Sequence, residues 1–219
     1  MQRLRRVEER RLGRPREYDP TIALQRATEA FWDAGFSGTS LDDLSARTEM
    51  NRPSLYAAFG DKEALYLKTV ENYLEERRRA ITAGLSGDRP LAEALRALYE
   101  VMIDRFLTGE HGARGCYVVG TAVTEAVPNP KVRELLAQSL VELDEAFRAA
   151  FSAAQSKGEL AEQADPRDLA SIATGVVHTL ALRARSGQSR AVLRAVADSA
   201  VKVLCAPPHP VRRKRRRGR

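Results

Sequence analysis

Two groups of residues have types and spacing that could do chemistry. The first is Asn51-Arg52-Pro53-Ser54, with Tyr56 and Lys62 close behind. An arginine and a hydroxyl at the opening of a short helix suit recognition: the guanidinium offers paired donors to a guanine edge, and a proline offers an apolar contact to a thymine methyl. Tyr56 falls on the outer face within reach of a phosphate. Lys62, behind the Asp61 cap, opens the next helix and combines its charge with that helix's N-terminus as a phosphate anchor. The second group is Cys116, two residues after Arg114 at an expected helix start, with His178 alone on an apolar helix further on. A helix N-terminus and a neighbouring guanidinium both favour a reactive thiolate, so Cys116 is a candidate sensor of oxidants or electrophiles; the other reading is a small residue packed at a helix start. Nothing in the spacing joins Cys116 to His178 as nucleophile and base. There is no phosphate loop, no HExxH and no supported acid pair, so the sequence does not read as an enzyme. Cys116 and Cys205 lie too far apart to form a metal site by themselves, and no cofactor is expected.

Helices must position these residues. Ala, Leu, Glu and Arg dominate between 18 and 205, and strand-like alternation is nearly absent. Asp19-Pro20, Asn129-Pro130 and Asp165-Pro166 are helix starts: the side chain accepts from free N–H groups, and proline at the first helical position gives up no useful donor. Gly35, Gly84, Gly158 and Gly187 are plausible stops. The resulting fold class is all-α, with about nine helices expected at 20–34, 40–47, 52–58, 62–83, 90–107, 115–126, 130–156, 166–185 and 189–204. In the first, Ile22, Leu24, Ala27, Ala30, Phe31 and Ala34, with Phe36 nearby, form the packing stripe. Thr39 or Ser40 caps the second, whose Asp42 and Asp43 favour its positive end and whose Leu41, Leu44 and Ala46 give it a buried side. After a tight turn at 48–51, Asn51 caps the third, with Leu55 and Phe59 inward. Two short helices joined by a four-residue turn and backed by a third make a helix-turn-helix, in which the second helix enters the major groove N-terminus first.

Charge is distributed unevenly. Residues 1–17 hold seven Arg against three Glu, and residues 206–219 hold six Arg and one Lys without an acid, so the 18–205 body carries −4 of the overall +7. Basic ends read either as contacts to a polyanion such as DNA or as solvated tails. No run of about eighteen apolar residues marks a membrane span, and the N-terminus lacks the apolar stretch of a secretory signal. Two distant cysteines fit a reducing cytoplasm.

The segment ALQRATEAFWDAGFSGTSLDDLSARTEMNRPSLYAAFGDKEALY, preceded by GRPR at 13–16, resembles the DNA-binding domain of TetR/AcrR-type transcriptional regulators. The matching positions are Phe31, Gly35, Phe36, Thr39, Ser40, Ser54, Leu55, Tyr56, Phe59, Lys62, Glu63 and Leu65. Two departures stand out: Glu49 occupies a turn position where the family often has Gly, and Ala57-Ala58 follow Tyr56 where His or Tyr is common. The resemblance implies an all-helical homodimer on a near-palindromic operator in double-stranded DNA. It implies a regulator, most often a repressor, released by a small-molecule effector. Arg52, Pro53 and Ser54 then lie in the groove, Ser40, Tyr56 and Lys62 on the backbone, and Arg14 and Arg16 in an arm. With Thr39, these make the expected DNA-binding set. The expected organisation is an arm at 1–17, a DNA-binding domain at 18–68, a ligand and dimerisation domain at 69–205 and a basic tail at 206–219. The alternative of another class is a non-specific DNA-coating protein that uses its basic ends.

In the larger body, Leu95, Leu98, Tyr99, Met102 and Phe106 recur at helical spacing, either as ordinary core or as the adaptable wall of a pocket. Tyr99, Met102 and Phe106, with Cys116, Tyr117 and His178, form the candidate ligand set; a satisfied core histidine is the other reading of His178. The last two helices, rich in Ala, Val and Gly, suit close approach of a second chain.

Overall fold

A computed structural model describes residues 19–109 and 112–206. Arg14, Arg16, His111, His209 and the basic tail from 207 onward lie outside the described residues. Among those described there are nine α-helices and no strand: α1 Pro20–Gly38, α2 Leu41–Thr48, α3 Arg52–Phe59, α4 Lys62–Leu85, α5 Leu91–Leu107, α6 Val123–Glu125, α7 Pro130–Ser156, α8 Pro166–Arg185 and α9 Arg190–Leu204. A π-helical turn, Val118–Ala122, leads directly into α6.

Local chemistry explains most boundaries. Asp19, Asn129 and Asp165 each cap a helix that opens with proline. Gly35 interrupts α1 at φ 75°, ψ 172°, a backbone conformation that other residues adopt only under strain, and the chain continues helically to Gly38. The exposed carbonyl at this kink has a donor: Thr39 Oγ1 gives a hydrogen bond to Gly35 O at 2.7 Å. The packing stripe of α1 matches expectation at Leu24, Ala27, Ala30, Phe31 and Phe36 and differs at its edges. Ala23, Ala27, Ala30, Phe31 and Trp32 are buried, whereas Ile22 is exposed and so is Ala34. In α2, Leu44 is buried but Ala46 is exposed.

Leu44, Met50, Leu55 and Phe59 close a small core between α1, α2 and α3. Truncating fully buried Leu44 to Ala removes about 2–5 kcal/mol from that core. Helix α4, about 36 Å long at 1.5 Å per residue, joins this unit to the rest. It packs on α1 at one end and on α5 and α7 further along, while α7 packs on α8, and α5 packs on both α8 and α9.

The segment expected to be a helix over 115–126 is helical from Tyr117 to Glu125, with a π-helical turn at Val118–Ala122. Long-range anchors hold it on both sides. Tyr66 Oη donates to Thr121 Oγ1 at 3.0 Å, and the hydroxyls of Thr69 and Tyr117 lie 2.8 Å apart, so α4 grips it. From α8, Arg185 Nη1 donates to Arg114 O at 3.1 Å. Gly120 gives this guanidinium room: a Cβ there would stand 2.4 Å from Arg185 Nη1.

Candidate nucleic-acid interface

The turn between α2 and α3 is built by its end residues. Ser40 and Asp43 form a reciprocal capping box at the start of α2: Asp43 N–H donates to Ser40 Oγ at 3.1 Å, and Ser40 N–H to Asp43 Oδ2 at 2.8 Å. The Ser40 hydroxyl also donates to Asp43, and these bonds hold the Asp43 carboxyl below the usual carboxylate range. Glu49 ends α2 in the left-handed conformation, φ 57° and ψ 27°, as the sequence departure suggested. Its carboxylate pairs with Arg26 at 2.8 Å. Asn51 then caps α3 by accepting from Ser54 N–H at 2.9 Å.

Helix α3 therefore turns Leu55 and Phe59 inward and leaves Arg52, Pro53, Tyr56 and Ala57 exposed on one face. Ser54 is half-buried. Lys62, at the start of α4, holds its ammonium 4.4 Å from the Phe36 ring centroid, beside the α2 box. Lys68 donates to Phe59 O at 3.4 Å and fixes α3 against α4.

Two expected contacts change. Thr39 is buried, with its hydroxyl committed to Gly35, so it locks the α1–α2 junction and offers no surface to a phosphate. Ser40 stays exposed, but its hydroxyl and its N–H both serve Asp43. Sequence reasoning missed one partner: Arg52 Nε and Nη2 donate to Asp42 Oδ1 at 3.1 and 2.6 Å, and this bonding raises the arginine's already high pKa. The ten-residue separation across a turn gives no periodic signal.

The candidate ligand residues pack into the interior of the larger body. Tyr99, Met102, Phe106, Cys116 and Tyr117 are all buried, and His178 is half-buried. None of the six lines either of the two clefts that flank Trp32. Tyr117 sits among Trp32, Tyr66 and Tyr73, with ring centroids 5.4–6.4 Å away. Burial pushes Tyr66 up to about 12. The sensor reading of Cys116 is also corrected. Its thiol is 3% exposed and faces Tyr73 Oη at 3.4 Å. The Arg114 guanidinium is spent elsewhere, paired with Glu29 and stacked 4.0 Å over Trp32. Reactive thiols need access, and this one is buried.

An exposed short helix presented N-terminus first, held by a capped tight turn on a three-helix core, defines a helix-turn-helix DNA-binding protein. The family model described as "Bacterial regulatory proteins, tetR family" matches residues 23–69, and "Tetracyclin repressor-like, C-terminal domain" matches residues 92–200. The chain is 31% identical over 149 residues to the HTH-type transcriptional regulator YezE of Bacillus subtilis (strain 168), covering 68% of this chain and 76% of that one. It is 25% identical over 191 residues to the HTH-type transcriptional repressor ComR of Escherichia coli (strain K12), covering 87% and 91%. Among solved structures, a cysteine mutant of the TetR family transcriptional regulator CifR, complexed with 26bp double-strand operator DNA, superposes with a TM-score of 0.74 at 34% identity, covering 86% of this chain and 98% of that one. The chain belongs to the TetR family of DNA-binding transcriptional regulators, which are not enzymes. No helix among the described residues is long and apolar enough to cross a membrane.

Proposed function

We propose that this regulator is a homodimeric repressor that holds a near-palindromic operator and leaves it when a small molecule binds. The observation that carries the reading is the exposed face of α3, where Arg52, Pro53 and Tyr56 stand together at the end that enters a major groove. Arg52 then reads a base edge, and Tyr56 and Lys62 hold the backbone. Residues 18–68 act as the DNA-binding domain and 69–205 as the effector and dimerisation domain, in the cytoplasm where the operator is.

Residues 19–69 hold five basic against eight acidic side chains, so this unit by itself repels a polyanion. The seven arginines of residues 1–17, Arg14 and Arg16 among them, supply the missing attraction. For the dimer, support comes from exposed stripes on the last two helices: Ile172, Gly175, Thr179 and Leu182 on α8, and Val192, Ala195, Ser199 and Val203 on α9. Each repeats at helical spacing, and together they expose apolar side chains beside small residues that allow close helix approach. Two heads on such a dimer reach successive major grooves about 34–36 Å apart. An effector acts only through different affinities for the DNA-bound and free arrangements.

The test is a genomic DNA pull-down with purified full-length protein at near-physiological salt, with sequencing of the bound fragments. Recovery of one near-palindrome supports the specific regulator. Indiscriminate recovery sinks it in favour of a DNA-coating protein driven by the basic ends.

A further inference from the structure

Helix α9 runs away from the helix-turn-helix head. Its first residue, Arg190, pairs with Glu100 and Asp104 in the second half of α5, and Asp198 lies 3.7 Å from Arg96 near the start of α5, so the two helices are antiparallel. The end of α5 meets the head, with Arg105 standing 5.8 Å from the Trp32 ring of α1. The start of α5 meets the far ends of α4 and α7: Leu91 N–H donates to Glu159 at 2.6 Å, and Lys157 lies 3.7 Å from Asp88. Cys205, just past α9, is half-buried at this same end, in the fields of Arg96 and Glu159. Ala206 therefore stands level with the C-terminal end of α4, a helix length of about 36 Å from Lys62 and the recognition face.

A polycation follows. Residues 207–219 hold six Arg and one Lys, all from 212 onward, with no acid, and Pro207, Pro208 and Pro210 stand between them and α9. Three prolines in four residues are the composition of a spacer. Arg212 is at most about 20–22 Å of chain from Ala206, so the first cations fall well short of the operator face, and the last reach it only as a chain drawn straight along the body. The body does not neutralise the run either. Residues 86–96 and 157–168, which form this end, hold six acidic against four basic side chains. Of those acids, Glu159 and Asp165 already accept from backbone N–H groups at helix starts, and Asp88 faces Lys157. Composition also selects the partner. Arginine outnumbers lysine six to one, and its fork matches phosphate oxygens. Residues 207–219 contain no aromatic ring to stack on an unpaired base, and Val211 is their only apolar side chain besides the prolines, too little to anchor in a bilayer.

We propose that residues 212–219 bind the phosphate backbone of a second DNA duplex, so that a dimer seated on its operator by the two heads bridges to another segment of DNA at its opposite end. Bridging rests on the regulator reading: both heads face one duplex, so both basic runs leave from the other side. Holding one duplex raises the effective concentration of neighbouring segments for the far end.

The test uses the full chain and a variant carrying Lys214→Gln and Gln at each of the six Arg of 212–219, with folding checked by circular dichroism and melting. A genomic fragment selected in the pull-down is fixed to beads and saturated with protein, and a fluorescent random-sequence duplex of about 40 base pairs is added over a range of salt. The expected result is equal occupancy of the bead fragment by both proteins, to within about twofold, with at least tenfold less retention of the second duplex by the variant. Its log–log salt slope for retention should be flatter by up to about six units. The proposal is overturned by no retention on the occupied full chain, by equal retention on the variant, or by a tenfold loss of bead-fragment affinity in the variant, which would assign the run to the operator itself. It is also overturned if single-stranded RNA or phosphatidylserine vesicles of equal total charge displace the second duplex. Failure of the pull-down to select any fragment is failure of the regulator reading; the same comparison with random-sequence duplex on the beads then still decides whether residues 212–219 hold a second duplex.

Discussion

Arg52, the first residue of α3, gives two donors to a single carboxylate oxygen of Asp42 in the first turn of α2. The side chain expected to read a base is thus held by an acid from the neighbouring helix. A phosphate must approach past the Asp42 charge, whereas a guanine edge offers Arg52 two acceptors in return for one. Asp42 therefore suppresses generic DNA binding more than operator binding. Asp42→Asn is expected to tighten binding to scrambled duplex several-fold and lower the ratio of operator to scrambled affinity. Arg52→Ala is expected to weaken operator binding about tenfold or more with little effect on scrambled DNA. Fluorescence anisotropy on both duplexes checks this, and an unchanged ratio in Asp42→Asn rejects it.

The basic arm has its own signature. Deleting residues 1–16 removes seven arginines from a protein whose 19–69 unit is net acidic. Operator affinity should fall, and the slope of log affinity against log salt should flatten by several units. A slope equal to that of the full chain means the arginines make no phosphate contacts.

Glu49 carries backbone strain that its ion pair does not repay. It holds φ 57° in the α2–α3 turn, and its bond to Arg26 is at the surface. Glu49→Gly relieves about 1 kcal/mol, a rise in melting temperature of roughly 2–4 °C for a chain this size. A lower melting temperature would show that the Arg26 pair outweighs the strain.

Gly175 faces open space: a Cβ built on it meets nothing within 4 Å in its own chain. Leu at this position improves helix propensity by roughly 0.5–1 kcal/mol, yet it fills the gap into which a partner helix would fit. Gly175→Leu should give a folded monomer by light scattering, with operator binding strongly reduced. A stable dimer from this variant places the interface elsewhere.

His178 gives the acid limb of stability. Burial and the Arg77 charge hold its pKa below the usual 6.5, partly opposed by Asp144. The folded state therefore prefers neutral imidazole. Its contribution is complete above 6.5 and is lost as pH falls through the lower folded value. Melting temperature should drop between pH 7 and 5, and His178→Asn should drop less steeply. Parallel slopes for the two proteins would assign the acid limb to other groups.

The sequence was most legible where the chemistry is local. The Asx-Pro caps located α1, α7 and α8 because cap and helix start are neighbours in the chain. The α2–α3 unit was legible for the same reason, down to the left-handed Glu49. Legibility failed where distant groups decide. Alanine carries a weak hydropathy signal, so the α1 stripe, right at Leu24, Ala27, Ala30, Phe31 and Phe36, missed Ala23 and included exposed Ile22 and Ala34, and the burial of Trp32 depends on Tyr73 and Tyr117, far along the chain. Thr39 looked like a surface hydroxyl because the carbonyl it serves exists only through the Gly35 kink. Cys116 looked like an open helix start because nothing nearby in sequence announces its burial against Tyr73, 43 residues earlier. Arg114 and Glu29, 85 residues apart, leave no local trace of their pairing.

The π-turn at Val118–Ala122 has a consequence for length rather than for contacts. A π-turn accommodates one more residue than the corresponding α-turn. A relative with a regular helix here needs one residue fewer between Tyr117 and Glu125 to keep both ends in phase. Removing Gly120 from this chain is accordingly expected to leave a regular helical turn, with Tyr117 still in the aromatic cluster and Glu125 still beside Ser37, its partner at 3.2 Å. The tolerance of this segment to substitution, which at Gly120 meets the Arg185 guanidinium, and its tolerance to a one-residue deletion are therefore separate properties.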